Sequence, residues 1–284
     1  VRLAGAPITW GVCEVPGWGE VLPPSTVLAD MAALGLTATE LGPPGYLPTD
    51  PDELHDLLAA HDLALVGGFL AVPLHEPGAV AEAERAAERL ARAGGDVLVL
   101  AAATGLDGYD ARPELAPAQW TALLRAAEAA RDAAAAHGVR TALHPHVGTH
   151  VERATEVGRL LAESDVPLCL DTGHLLIGGA NPLELASRHP DRIGHVHLKD
   201  VRADLAAEVR EGRTGYADAV RSGLYPPLGD GDLDVPAILA ALRINGYGGW
   251  LVLEQDTALD AGATSAAPVG DTARGLAFLR PHLG

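Results

Sequence analysis

The sequence holds only two cysteines, Cys13 and Cys169, in 284 residues. Two thiols are too few for a disulfide framework, and Cys169 lies in an apolar strand-like run that calls for a small core side chain. Redox chemistry is therefore not indicated. Basic residues are also scarce: 20 Lys and Arg stand against 38 Asp and Glu, a formal net charge of -18. A surface that negative repels phosphate backbones and anionic lipid, so neither nucleic acid nor a membrane is expected as a partner. No stretch reaches the roughly 18 apolar residues of a membrane span. Residues 1–9 lack the basic flank and small-residue cleavage site of a signal peptide, so a cytoplasmic location is expected. Also missing are a low-complexity linker, a composition shift and any repeat beyond a β/α unit, which leaves a single domain over residues 1–284 as the expectation.

What is there is apolar sequence spread evenly, 48% of the residues, enough to bury a sizeable core. Short β-rich runs at 3–9, 36–41, 63–70, 96–101, 139–145, 166–171, 193–198 and 250–255 alternate with amphipathic stretches. Those stretches, at 25–34, 52–61, 79–93, 117–137, 152–164, 182–189, 235–244 and 270–281, read as helices. Pro51, Pro117, Pro182 and Pro236 sit where a first helical turn accepts proline. A doubly wound open sheet would usually carry a Gly-rich phosphate loop after its first strand, but here that strand runs into Thr9-Trp10-Gly11. The pattern predicts an α/β fold, a (β/α)8 TIM barrel. One segment breaks the rhythm: residues 201–234 are long, polar and rich in Gly, Pro and Asp, a candidate lid or oligomer contact at the catalytic face.

In such a barrel, inward residues at the carboxyl ends of strands line the mouth. Here four successive strands end in ionisable residues: His144-Pro145-His146, Asp171-Thr172-Gly173-His174, His195-Val196-His197-Leu198-Lys199-Asp200 and Glu254-Gln255-Asp256. Burying so many of these groups together would cost several kcal/mol unless they were compensated, and a divalent cation compensates carboxylates and neutral imidazoles at once. Each has a plainer alternative: Asp171 as a helix cap, His195 as a hydrogen-bonded core histidine, Glu254 as a partner of Lys199. A period of two puts His195 and His197 on one face with His197 nearer the mouth, so His197 is the better ligand and His195 the deeper group. His144 and His146 also share a face, and either can reach the site.

With these residues the chain resembles the sugar phosphate isomerase/epimerase superfamily with its xylose isomerase-like TIM barrel, and within it the inosose dehydratases of inositol catabolism. The resemblance runs from Ala6-Pro7-Ile8-Thr9-Trp10 through Thr39-Glu40-Leu41-Gly42 to Leu253-Glu254. The more specific motifs are Asp171-Thr172-Gly173-His174, His195 to Asp200 and Pro227-Leu228-Gly229-Asp230-Gly231, with His144 to Thr149 pointing to the dehydratase branch. It implies one divalent metal held by residues of strands five to eight, mapping onto Asp171, His197 and Glu254. The strand-five glutamate of the superfamily is replaced here by His144. Two imidazoles with two carboxylates would leave a divalent site formally neutral, and the extra nitrogen favours Mn or Co, with Zn, Fe and Mg as further options. The loop from Gly11 to Trp18 departs from the branch.

The resemblance implies a polyhydroxylated cyclic ketone, such as an inosose, as small-molecule substrate. A metal chelating its ketone oxygen and a neighbouring hydroxyl acidifies the carbon between them by stabilising an enediolate, from which dehydration, isomerisation and epimerisation all diverge. His146, Lys199, Glu152 and His174 are the candidate proton carriers. Glu40 stands across the mouth, and Trp10, Trp18 and His195 are the other candidate substrate contacts. Dehydration is the leading expectation, isomerase or epimerase chemistry the runner-up. A phosphodiesterase of the DNA-repair type needs a basic face, which the charge of -18 argues against, and a non-catalytic sugar-binding relative would be expected to have lost these ligands. Barrels of this kind often associate through loops at the catalytic face, so a homo-oligomer is a further expectation.

Overall fold

The structure, a computed structural model, describes residues 2–283; Val1 and Gly284, the ends of the expected domain, lie outside it. Nine parallel strand segments form one sheet. They are β1 (Arg2–Gly5), β2 (Ala38–Thr39), β3 in two pieces (Ala64–Leu65 and Gly67–Val72), β4 (Val97–Ala102), β5 (Arg140–Leu143), β6 (Leu168–Asp171), β7 (Ile193–Leu198) and β8 (Trp250–Leu253). The two pieces of β3 meet at Val66, whose N–H donates to Thr39 and whose carbonyl accepts from Asp96 and Val97. One piece pairs with β2 and the other with β4, while β1 pairs with β8, so the cylinder closes.

The eight helical stretches expected from the sequence are present, from Pro24–Ala33 and Pro51–Ala59 through Ala79–Arg92, Pro117–Ala136, Ala154–Glu163, Pro182–Arg188 and Val235–Ile244 to Ala266–Leu279. The expected prolines fall in first turns of their helices, and Asp50, Asn181 and Asp234 cap three of these with side-chain oxygens. Strands come out shorter than their apolar runs. The first ends at Gly5 and turns into a short 3-10 helix, Pro7–Trp10, because Pro7 has no N–H to offer a sheet.

Apolar residues sort by size. Ala4, Ala6, Ala38, Val66, Val97, Val99, Ala142, Cys169 and Val252 fill the narrow barrel interior together with one large residue, Trp250. Leucines dominate the wider layer between strands and helices. The 201–234 excursion is a packed structure rather than a plain loop. It forms two helices the sequence pattern did not reveal, Ala203–Arg210 and Tyr216–Arg221, and its Val201, Ala206, Tyr216, Ala219, Val220 and Leu224 are buried in a cluster with Trp18 and Val147. Its far end is pinned by Asp200, whose carboxylate accepts from the N–H groups of Val201, Gly229, Gly231 and Leu233 at 2.9–3.1 Å. A Cβ on Gly231 would come within 2.3 Å of that carboxylate, so the Gly229-Asp230-Gly231 motif serves this approach. No helix among the described residues is long and apolar enough to cross a membrane.

Candidate metal and active site

Register places the polar residues side by side. Asp171 on β6 is level with His197 on β7, and Cys169 with His195. Neighbouring strands lie about 4.8 Å apart, so side chains paired in this way and turned inward bring their donor atoms together. Ligand atoms of His144, Asp171, His197 and Glu254 all lie within 4.8 Å of one another. The first three are essentially sealed from solvent, and Glu254 keeps 13% of its side chain exposed.

Each of the four is oriented by a second contact. His144 Nδ1 lies 2.8 Å from the carbonyl of Pro145 and so carries the proton, which leaves Nε2 bare and 3.5 Å from Asp171 Oδ2. Asp171 divides its oxygens: Oδ1 caps the helix Thr172–Ile177 by accepting from Gly173 and His174 N–H, while Oδ2 faces Lys199, His144 and His197. The plainer reading of Asp171 therefore holds beside the functional one. His197 Nε2 is 3.1 Å from Glu40 Oε1, which also takes His195 Nε2 at 2.8 Å. Its other nitrogen, Nδ1, is 2.8 Å from Glu254 Oε2 at an angle that makes no hydrogen bond, and so is buried without a hydrogen-bond partner among the described residues. With Nε2–H held by Glu40, the free electron pair of Nδ1 points among carboxylates, an arrangement that suits a cation. The residues present fit a divalent metal.

Lys199, the only lysine in the chain, crosses beneath this group. Its Nζ lies 2.9 Å from Asp171 Oδ2 and 3.2 Å from Asp256 Oδ1, and also contacts Glu254 Oε2. Room for it comes from Gly173, where a Cβ would meet the lysine side chain at 2.8 Å. Burial works against charge on Lys199, but Asp171, Asp256 and Glu254 outweigh it and hold its pKa well above the ordinary value. Burial likewise opposes ionisation of Glu254, yet His197 and Lys199 bring its carboxyl down to about 2. His144 goes the other way: burial, only partly offset by Asp171, lowers it to about 3 and keeps it neutral as a ligand must be.

Above these groups opens a cavity of about 270 Å³. His144, His146, His174, Lys199, Glu254 and Asp256 line one side, and Ile8, Gly42, Pro43, Phe69 and Leu70 the other, with Glu40, Trp18 and Tyr109 between. The expected contacts thus divide. His146, His174, Lys199, Glu40 and Trp18 reach the cavity. Trp10 does not, because its indole turns outward to Asp30 at 3.2 Å. His195 is a core histidine on Glu40. Glu152 is drawn away by the Gly148 N–H at 2.7 Å and Arg112 at 3.3 Å, and braces the 146–152 loop instead of facing the cavity. Three residues escaped the sequence reading. Asp256 shares the parity of Glu254 along the last strand, a signal that was there. Tyr216 donates to Asp256 at 2.6 Å and meets Tyr225 at 3.0 Å, but both tyrosines come from the irregular excursion, where no periodicity announces a direction.

The signature of the xylose isomerase-like TIM barrel matches residues 28–282. The chain belongs to that family. It is 36% identical over 267 residues to the rhizopine catabolism protein MocC of Rhizobium meliloti, covering 90% of this chain and 82% of the relative. It is 34% identical over 270 residues to the inosose dehydratase of Geobacillus kaustophilus (strain HTA426), covering 90% and 87%. Among solved structures of the fold, the IOLI protein with a bound zinc atom superposes with a TM-score of 0.71 at 15% identity, covering 98% of each chain.

Proposed function

We propose that this protein is a metal-dependent carbon–oxygen lyase that removes water from an inosose or a similar polyhydroxylated cyclic ketone. The observation that carries the reading is the convergence of His144, Asp171, His197 and Glu254 on one point at the floor of a sugar-sized cavity, in a chain similar to inosose dehydratases over nine-tenths of its length. His144 Nε2, Asp171 Oδ2, His197 Nδ1 and Glu254 would hold the ion. Two imidazoles with two carboxylates favour Mn, Co, Fe or Zn over Mg. Bound there, the ion would act as a Lewis acid toward a ketone oxygen and its neighbouring hydroxyl.

The remaining work falls to side chains. Lys199 balances the carboxylates beneath the site and is held in place by Asp256, itself fixed by Tyr216. Glu40 orients His197. Phe69 and the prolines opposite present an apolar face to the ring of the substrate, and exclude water from the polar side.

Elemental analysis of purified protein should find about one transition-metal ion per chain, and scyllo-inosose with Mn or Co should yield a new ultraviolet absorbance from a conjugated, enolised dione. Flat absorbance together with a new inosose or ketose isomer on chromatography would overturn the lyase reading in favour of epimerase or isomerase chemistry.

A further inference from the structure

His146 and His174 stand against each other at the cavity, ring centroids 3.8 Å apart with planes inclined by 33°. One residue's backbone touches both. The carbonyl of Val147 lies 2.7 Å from His146 Nδ1, and the N–H of Val147 points at His174 Nδ1 across 3.4 Å. A carbonyl only accepts, so His146 Nδ1 bears the hydrogen and its Nε2 is left as a bare electron pair. An amide N–H only donates, so His174 Nδ1 is the bare nitrogen and, in the neutral ring, Nε2 bears the hydrogen. That Nε2 is buried and has no hydrogen-bond partner among the described residues. Both rings line the cavity, so each presents there what the other lacks.

We propose that Val147 locks the two histidines in opposite tautomers, making His146 Nε2 the base of the reaction and His174 Nε2–H a neutral hydrogen-bond donor to substrate oxygen. This rests on the lyase reading. His146 Nε2 takes the proton from the carbon beside the carbonyl, and the C–H electron pair becomes the enolate double bond. The enolate then reforms the carbonyl as the bond from the β-carbon to its hydroxyl breaks. The departing oxygen receives the proton from His146 Nε2 and leaves as water, so the ring nitrogen returns to its starting state. His174 keeps its proton throughout; a neutral imidazole suffices to stabilise negative charge developing on oxygen. Val147 is a positioning residue, acting only through its two backbone groups.

Two measurements test this. In protein labelled with 15N-histidine, long-range 1H–15N spectra assigned with His146→Gln and His174→Gln should show the hydrogen on Nδ1 of His146 and on Nε2 of His174. The same tautomer in both rings, or the reverse pairing, overturns the proposal whatever the substrate. With scyllo-inosose in D2O, His146→Ala should lose both α-hydrogen exchange and dehydration by at least ~100-fold. His174→Phe should lose dehydration by ~100-fold while still exchanging, and His174→Gln, which keeps an N–H donor, should recover part of it. If wild-type protein dehydrates the substrate and His146→Ala still exchanges at the wild-type rate, the base has been misassigned. If wild-type protein dehydrates no inosose, the lyase reading fails and the spectra alone judge the tautomers.

Discussion

The two sides of the cavity are built from different chemistry although they belong to one barrel. On the side of β5 to β8, His144, His146, His174, Lys199, Glu254 and Asp256 crowd together; on the side of β1 to β3, the lining is Ala6, Pro7, Ile8, Pro43, Pro44, Phe69 and Leu70, with Glu40 as the buried charged exception. Glu40 proves the rule, because its partners, His195 and His197, come from β7 across the barrel. The contrast separates labour. One side holds charge and moves protons, and the other gives the ring of a substrate a dry surface to lie on. Substitutions on the two sides should accordingly fail in different ways.

The largest effect belongs to the ligand set. Asp171→Asn and Glu254→Gln should each drop metal content toward background and turnover by ~1000-fold or more, the scale of the several kcal/mol a Lewis acid supplies. Retention of a full complement of metal in both variants would show that the ion, if present, sits elsewhere. Next comes Lys199→Met, which strips the cation from three buried carboxylates. Metal-free protein should lose on the order of 3–5 kcal/mol in urea unfolding, and added Mn or Co should restore much of it by binding the folded state.

A direct comparison of the two sides comes from Glu40→Gln and Phe69→Ala. The first should weaken metal binding by about 10- to 100-fold, because His197 loses its orienting acceptor. The second should leave metal binding unchanged and raise KM about tenfold. Equal loss of metal affinity in both would erase the division of labour.

The smallest effect is a slope of stability with pH, and it lies outside the site. Burial, with His75 and Arg112 adding to it, lowers His150 from 6.5 to about 4. The folded form therefore leaves this ring neutral where the unfolded chain protonates it, so stability is fully present above about 6.5 and drains away as pH falls toward about 4. His150→Gln should flatten the urea midpoint across that window, and an unchanged slope would assign the effect to other groups.

Much of this was legible in the residues themselves. Eight alternating units dictated the barrel, since apolar runs with turn residues between them have few ways to bury both faces of a parallel sheet. Asp171, His197 and Glu254 stood out because they end apolar strands, where a charged side chain must find a partner. The choice between His144 and His146 had no such signature, as both lie on one face. Backbone carbonyls decide it, with Pro145 turning His144 Nε2 toward Asp171 and Val147 fixing His146 against His174. Sequence also misjudged Glu152 and Trp10, whose partners Arg112 and Asp30 lie 40 and 20 residues upstream.

What the sequence by itself determined is thus everything that follows from local period: the order of strands and helices, the inward parity of the strand-end residues and the abundance of acid that bars anionic partners. Only the tertiary structure decided which atoms meet. It brought Glu40 across the barrel to orient His197, folded Tyr216 in from the excursion to hold Asp256, and set the single lysine under three carboxylates. The reason is geometric. Periodicity tells which face of a strand a side chain occupies, whereas a hydrogen bond needs a partner within about 3 Å at a defined angle, and those partners come from segments whose relative placement is fixed only when the cylinder closes.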